Sequence, residues 1–96
     1  MKEASIIWSP QAEESYLKTL EFIVEKWGKK IALKFDKSVE ELIHKIATHK
    51  HICPESLIIK LRRCVISQQT SMVYQIIDRE TIEIITFFDN RSDHSY

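Results

Sequence analysis

Residues 71–88, SMVYQIIDRETIEIITFF, contain two runs of β-branched and aromatic side chains parted only by the polar triplet DRE at 78–80. Such runs suit a pleated, half-buried surface, and so short a break leaves room for little but a hairpin. Upstream, LIIKLRRCVIS at 57–67 has the same character and is set off by QQT at 68–70. Three consecutive antiparallel strands are therefore expected in the C-terminal part of the chain.

The N-terminal part has a different period. ASIIWS, residues 4–9, reads as a short strand with Ile6 and Trp8 on one face and Ile7 on the other. Ser9 is suited to accept from the free amides of a first helical turn, and Pro10, which lacks an amide hydrogen, suits the first helical position. Glu13 and Glu14 favour the same end. Ala12, Tyr16, Leu20, Ile23, Val24 and Trp27 then recur at spacings of three or four, and Gly28 supplies a stop, which predicts a helix over 10–27. A second stripe of Ala32, Phe35, Val39, Leu42, Ile43 and Ile46 follows and fades near Thr48. HKHICPES at 49–56 reads as a loop, since Pro54 pushes Cys53 out of the helical region.

The predicted order is β-α-α-β-β-β. The economical way to bury two helical stripes is an α+β fold, with the helical hairpin packed on one face of a mainly antiparallel four-stranded sheet. The other face is left open for a partner. At 96 residues the chain is one domain, residues 1–96, and 44% hydrophobic residues with one Gly and two Pro exclude a mainly disordered or low-complexity chain.

Fourteen basic and fourteen acidic residues balance, so any nucleic-acid site must come from local clustering. No apolar run approaches a membrane span, and MKEASIIWS lacks the apolar core of an export signal, so a cytoplasmic protein without membrane contact is expected. In that compartment Cys53 and Cys64 are expected as reduced thiols. His49, His51 and Cys53 alternate along the loop but lack the spacing of paired zinc ligands, so neither a metal nor another cofactor is expected. His44 reads as a boundary residue of the second helix, Tyr74 as packing, and Trp8 and Trp27 as apolar anchors.

Two polar clusters are candidate contact surfaces. FFDNRSD at 87–93 places Asp89, Asn90 and Arg91 at the exit of a core strand, although an Asp89–Arg91 ion pair would explain the same cluster structurally. In the second strand, Lys60 and Arg62 share a face by alternation and Arg63 points to the other. A solvated sheet face is the plainer reading of those cations.

The element order, the opening IIWSPQAEESYLKTLEFIVEKWG at 6–28, the hairpin VYQIIDRETIEIITFF at 73–88 and the exit DNR at 89–91 resemble the RelE/ParE superfamily, toxins of bacterial toxin-antitoxin pairs. The resemblance covers nearly the whole chain and implies an antitoxin partner, lying across the helical hairpin or along a sheet edge. It also implies one of two targets. RelE-like members cut messenger RNA on the ribosome; ParE-like members block DNA gyrase without hydrolysis.

Cleavage of RNA by its 2′-hydroxyl requires a proton acceptor, a cation at the phosphate and a donor to the departing oxygen. In RelE-like nucleases basic residues on the second strand, an arginine early in the third and an arginine after the fourth perform these tasks. Lys60 and Arg62 match the first of those places and Arg91 the last, and His94 and Tyr96 resemble a terminal proton-transfer pair. Ser71 stands where the arginine of the third strand belongs, and a hydroxyl does not replace a guanidinium gripping a phosphate. A ParE-like, gyrase-binding toxin using Lys60, Arg62, Asp89, Asn90 and Arg91 is therefore the expected reading. The alternatives are a RelE-like mRNA endoribonuclease and a non-toxic interaction module of the same fold.

Overall fold

The computed structural model describes residues 3–58 and 60–91. The elements are β1 (Ser5–Trp8), α1 (Pro10–Trp27), α2 (Lys29–Thr48), β2 (Leu61–Val65), β3 (Thr70–Asp78) and β4 (Thr81–Asp89). They form one four-stranded sheet in the order β1-β4-β3-β2. The β2–β3 and β3–β4 pairs are antiparallel, and β1 lies parallel to β4 with Ser5 opposite Thr81 and Trp8 opposite Ile84.

Ser9 does more than cap α1. Its Oγ accepts from the Ala12 amide at 2.9 Å and donates to the Ile85 carbonyl at 2.7 Å, so one hydroxyl both starts the helix and fastens it to β4. The register explains why that carbonyl is available. Between Val73 and Tyr74 the partner on β4 jumps from Thr86 to Ile84, which leaves Ile85 as the extra residue of a bulge. The bulge also moves the inward positions of β4 by one, from Ile82 and Ile84 to Phe87, all of them buried.

β1 ends at Trp8, so the edge of β4 beyond it needs other partners. α1 supplies them: Gln11 Nε2 donates to Thr86 Oγ1 at 3.0 Å, and Ser15 Oγ accepts from the Phe87 amide at 3.0 Å. At its other end α1 stops at Gly28, whose φ of +90° is open to glycine at no steric cost. The Gly28 amide donates to the Val24 carbonyl at 2.9 Å while its carbonyl accepts from Ala32 at 3.2 Å, so a single residue joins the two helices.

The core lies between the hairpin and one face of the sheet. Ala12, Ile23, Ala32, Phe35, Val39 and Ile46 of the helices cluster with Met72, Tyr74, Ile82, Ile84 and Phe87 of the strands. Tyr16 joins the layers: its ring centroid is 5.4 Å from Trp8, 4.8 Å from Phe87 and 6.2 Å from Phe35, and its hydroxyl donates to Asp36 of α2. By alternation Ser71, Val73 and Gln75 of β3 and Leu61, Arg63 and Val65 of β2 turn to the face without helices. The expected one-sided architecture is thus present.

Four local expectations are corrected. Strand β2 is shorter than the apolar run suggested, because Leu57 and Ile58 lie in a bend and Lys60 sits at φ +72°, ahead of the strand. Lys60 therefore shares no strand face with Arg62. Cys53 and Cys64 are joined in a disulfide rather than present as thiols, because residues 53–56 run back along the outer edge of β2. Val24 and Trp27 are 39% and 44% exposed, Trp27 packing edge-on against Phe22 outside the core. Among the described residues no helix is long and apolar enough to cross a membrane.

Ser9→Ala removes both bonds of the hydroxyl and is expected to lower stability by about 1–2 kcal/mol. Urea denaturation should show a lower midpoint with an unchanged slope. Burial pushes the Tyr16 and Tyr74 hydroxyls above the ordinary tyrosine range, reinforced at Tyr16 by the bond to Asp36 and opposed at Tyr74 by hydrogen bonding to the chain and by Arg62. Stability is therefore fully retained below about pH 10 and declines as pH rises through the shifted values. Tyr16→Phe should lessen that alkaline decline in a pH series of denaturation midpoints.

Candidate binding site

Where β4 leaves the sheet, Asn90 ties it to the turn between β2 and β3. Its amide donates to Gln69 O at 2.7 Å, and its Nδ2 donates to Ser67 O and Gln68 O, each at 3.1 Å. Its Oδ1 accepts from the fully buried Ser71 hydroxyl and from Arg63 Nη2 at 3.5 Å. The side chain is thus committed to holding the rim of the open face in place. Such a network is a means of rigidity, because each polar group is satisfied by another.

Arg63 is the cation of that face. Its register partner is Val73, its guanidinium lies 5.2 Å from the Phe88 ring centroid, and its buried Nε has no hydrogen-bond partner among the described residues. Stacking on an aromatic ring orients the planar charge while leaving donors for a ligand anion. The other face of the rim is a cleft of about 260 Å³ lined by Lys18, Phe22, Ile23, Thr70, Phe88 and Asp89. Phe88 is common to both, lining the cleft and lying against the guanidinium. Nearby, Gln75 Nε2 donates to Glu83 Oε1 at 2.7 Å.

The sequence-predicted residues fall into separate places. Arg62 turns to the helix-covered face opposite Tyr74, where Nη1 donates to Cys53 O at 2.6 Å and Nη2 lies 3.7 Å from Glu55 Oε1. Only 17% of its side chain is exposed. Lys60 is exposed in the preceding turn. Arg91 is exposed and bonded to Asp89, with Nε at 3.2 Å from Oδ1 and Nη2 at 3.0 Å from Oδ2. That hydrogen bond holds the Asp89 carboxyl below its usual range. His94 and Tyr96 lie outside the described residues. Cys53 is taken up by the disulfide, which removes the thiolate from the His49, His51 and Cys53 triplet. Arg63 was the residue to follow: alternation already set it opposite Arg62, on the face without helices.

A second surface lies on the helical side. Leu20, Val24, Ala32 and Leu33 form an apolar groove of about 310 Å³ between α1 and α2, with Lys29 and Asp36 at its margin. Leu33 is 70% exposed there, an unusual position for a large aliphatic side chain on a surface groove.

The chromosomal ParDE toxin-antitoxin system from P. aeruginosa contains a chain of the same fold, with a TM-score of 0.74 at 16% identity over 91% of this chain and 96% of that one. The YoeB dimer from Staphylococcus aureus gives 0.63 at 18% identity over 94% and 99%. At those identities the likeness establishes the fold. The family model for the ParE toxin of the type II toxin-antitoxin system parDE matches residues 6–94. The chain belongs to the ParE toxin family. No curated protein sequence matches it. The ParE match spans both surfaces, the rim around Asn90 and the hairpin groove.

Asn90→Ala frees the 67–69 turn and strips the buried Ser71 hydroxyl of its partner, so a loss of about 1–3 kcal/mol is expected. Arg91→Ala should leave the thermal midpoint nearly unchanged, because the Asp89–Arg91 pair is exposed. What the pair contributes is present above the ordinary carboxyl value of about 3.9 and is lost as pH falls through the lowered value. Side-by-side thermal melts of the two variants at neutral and acid pH check both statements.

Proposed function

We propose that this ParE-family toxin arrests growth by binding DNA gyrase through the open face of the sheet, without cutting a nucleic acid, and that a cognate antitoxin silences it. The observation that carries the reading is Ser71. It occupies the place of the third-strand arginine of RelE-like nucleases, it is fully buried, and its hydroxyl is spent on Asn90. Among the described residues, a phosphate on the open face would meet Arg63, stacked on Phe88, and Arg91 at the rim, without the third-strand arginine that the resemblance assigns to RNA cleavage. This geometry suits charge-directed binding to a protein or protein–DNA surface.

The antitoxin is assigned the hairpin groove, where exposed Leu33 and Val24 offer anchors for an apolar helix. The likeness to a ParDE system supports such a pairing. With gyrase as the target the toxin acts in the cytoplasm. A RelE-like ribosome-dependent ribonuclease is the second reading, favoured by the guanidinium of Arg63 on the open face and by Arg91 at its exit.

A supercoiling assay with purified toxin separates these. Inhibition by the wild type, weakened at least tenfold in Arg63→Ala and more mildly in Arg91→Ala, is the expected result, with loss of inhibition on adding the antitoxin. Unchanged supercoiling at saturating toxin discards gyrase as target. Toeprints on translating ribosomes that vanish in Arg63→Ala would then establish the nuclease, and tight antitoxin binding with neither activity would leave an interaction module.

A further inference from the structure

Residues 49–58 form a strap between α2 and β2 that lies along the outer edge of the sheet. Ser56 N donates to Leu61 O at 2.9 Å, Arg63 N donates to Pro54 O at 3.1 Å, and Glu55 bridges Arg62. Arg62 reaches Cys53 O at 2.6 Å, and the Tyr74 hydroxyl donates to Lys50 O at 2.5 Å. The strap has almost no apolar anchorage of its own. Ile52, Leu57 and Ile58 are 50%, 84% and 40% exposed, and Cys53 is its one buried side chain among the described residues. Cys53 in turn is bonded to Cys64 of β2.

We propose that the Cys53–Cys64 bond is a redox latch: reduction releases the strap from β2 and uncovers that edge of the sheet, while the rest of the domain stays folded. The core depends on the helices, β3 and β4, so freeing the strap withdraws from it a single small side chain. What is uncovered is the Arg63 amide, the Leu61 carbonyl and the guanidinium of Arg62, all now engaged by the strap. An open edge of that kind pairs readily with an added strand.

The chemistry is thiol–disulfide exchange. A thiolate of a dithiol reductant attacks one sulfur and forms a mixed disulfide, and the second cysteine leaves as a thiolate and takes up a proton. The other thiol of the reductant then displaces the first cysteine, so the protein gains two electrons and two protons and the dithiol becomes a disulfide. Both cysteines are buried, at 7% and 3% exposure, so attack requires the strap to lift first. In a reducing compartment the thiol form is the default, and the bond registers oxidising conditions.

Amide hydrogen exchange followed by NMR, on the full chain with and without dithiothreitol, tests the latch. The oxidised protein should show no alkylatable thiol and the reduced protein two. On reduction, exchange at the Ser56 and Arg63 amides should rise roughly a hundredfold, the effect of opening a loop of this size. Amides of the β3–β4 ladder should change less than about threefold. Cys53→Ser combined with Cys64→Ser should reproduce the reduced pattern without reductant; if that variant does not fold, reduced wild type carries the comparison. Strap amides still protected after reduction, ladder amides accelerating together with the strap, or two free thiols in the air-oxidised protein would each overturn the proposal.

Discussion

The architecture depends on how the edge of β4 is completed. β1 is four residues long and β4 nine, so most of one edge of an inner strand is left without a strand neighbour. Unpaired amides and carbonyls at that position would be expensive if buried, and the start of α1 answers them through Ser9 and Ser15, while Gln11 bonds the Thr86 hydroxyl beside them. Because the helix is fixed to the strand by hydrogen bonds at its first turns, its direction across the sheet is set before any core contact is counted. The aromatic junction of Trp8, Tyr16, Phe35 and Phe87 then packs beneath it, and the single-residue link at Gly28 returns α2 along the same side.

One-sidedness follows, and with it a division of the surface. The helical side carries an apolar groove. The other side carries a cation stacked on an aromatic ring, beside a rim that Asn90 holds to the preceding turn. A toxin that must meet both a target and an antitoxin gains from two chemically different faces, since each partner is selected by a different kind of contact. The rigidity of the rim matters as much as its charge, because a guanidinium that is already oriented loses less freedom on binding.

Much of the fold was legible in the sequence because the signals were local. Ser9-Pro10 and Gly28 mark helix ends by the conformations they allow, and the 71–88 hairpin declares itself by residue type and a short break. Less was legible where a residue acts across distance. Nothing in IEIIT announces a bulge at Ile85, yet the bulge shifts Phe87 inward and supplies the carbonyl for Ser9. Leu57 and Ile58 read as strand because apolar β-branched runs usually are, but the strap turns before β2 begins and leaves them exposed. The disulfide was hidden by the reasonable expectation of reduced thiols, and only the return of 53–56 along β2 brings the cysteines together. Of the candidate site, the rim residues stand out in DNR, whereas the contacts that place Arg62 against the strap and Arg63 on the open face are made across distance.

Hydroxyl-radical footprinting of the toxin bound to gyrase addresses the division of faces most directly. The account predicts protection at Phe88 and its neighbours on the open face, with Leu33 and Val24 in the hairpin groove still reactive until antitoxin is added. Protection of the groove by gyrase, with the open face left reactive, would contradict it.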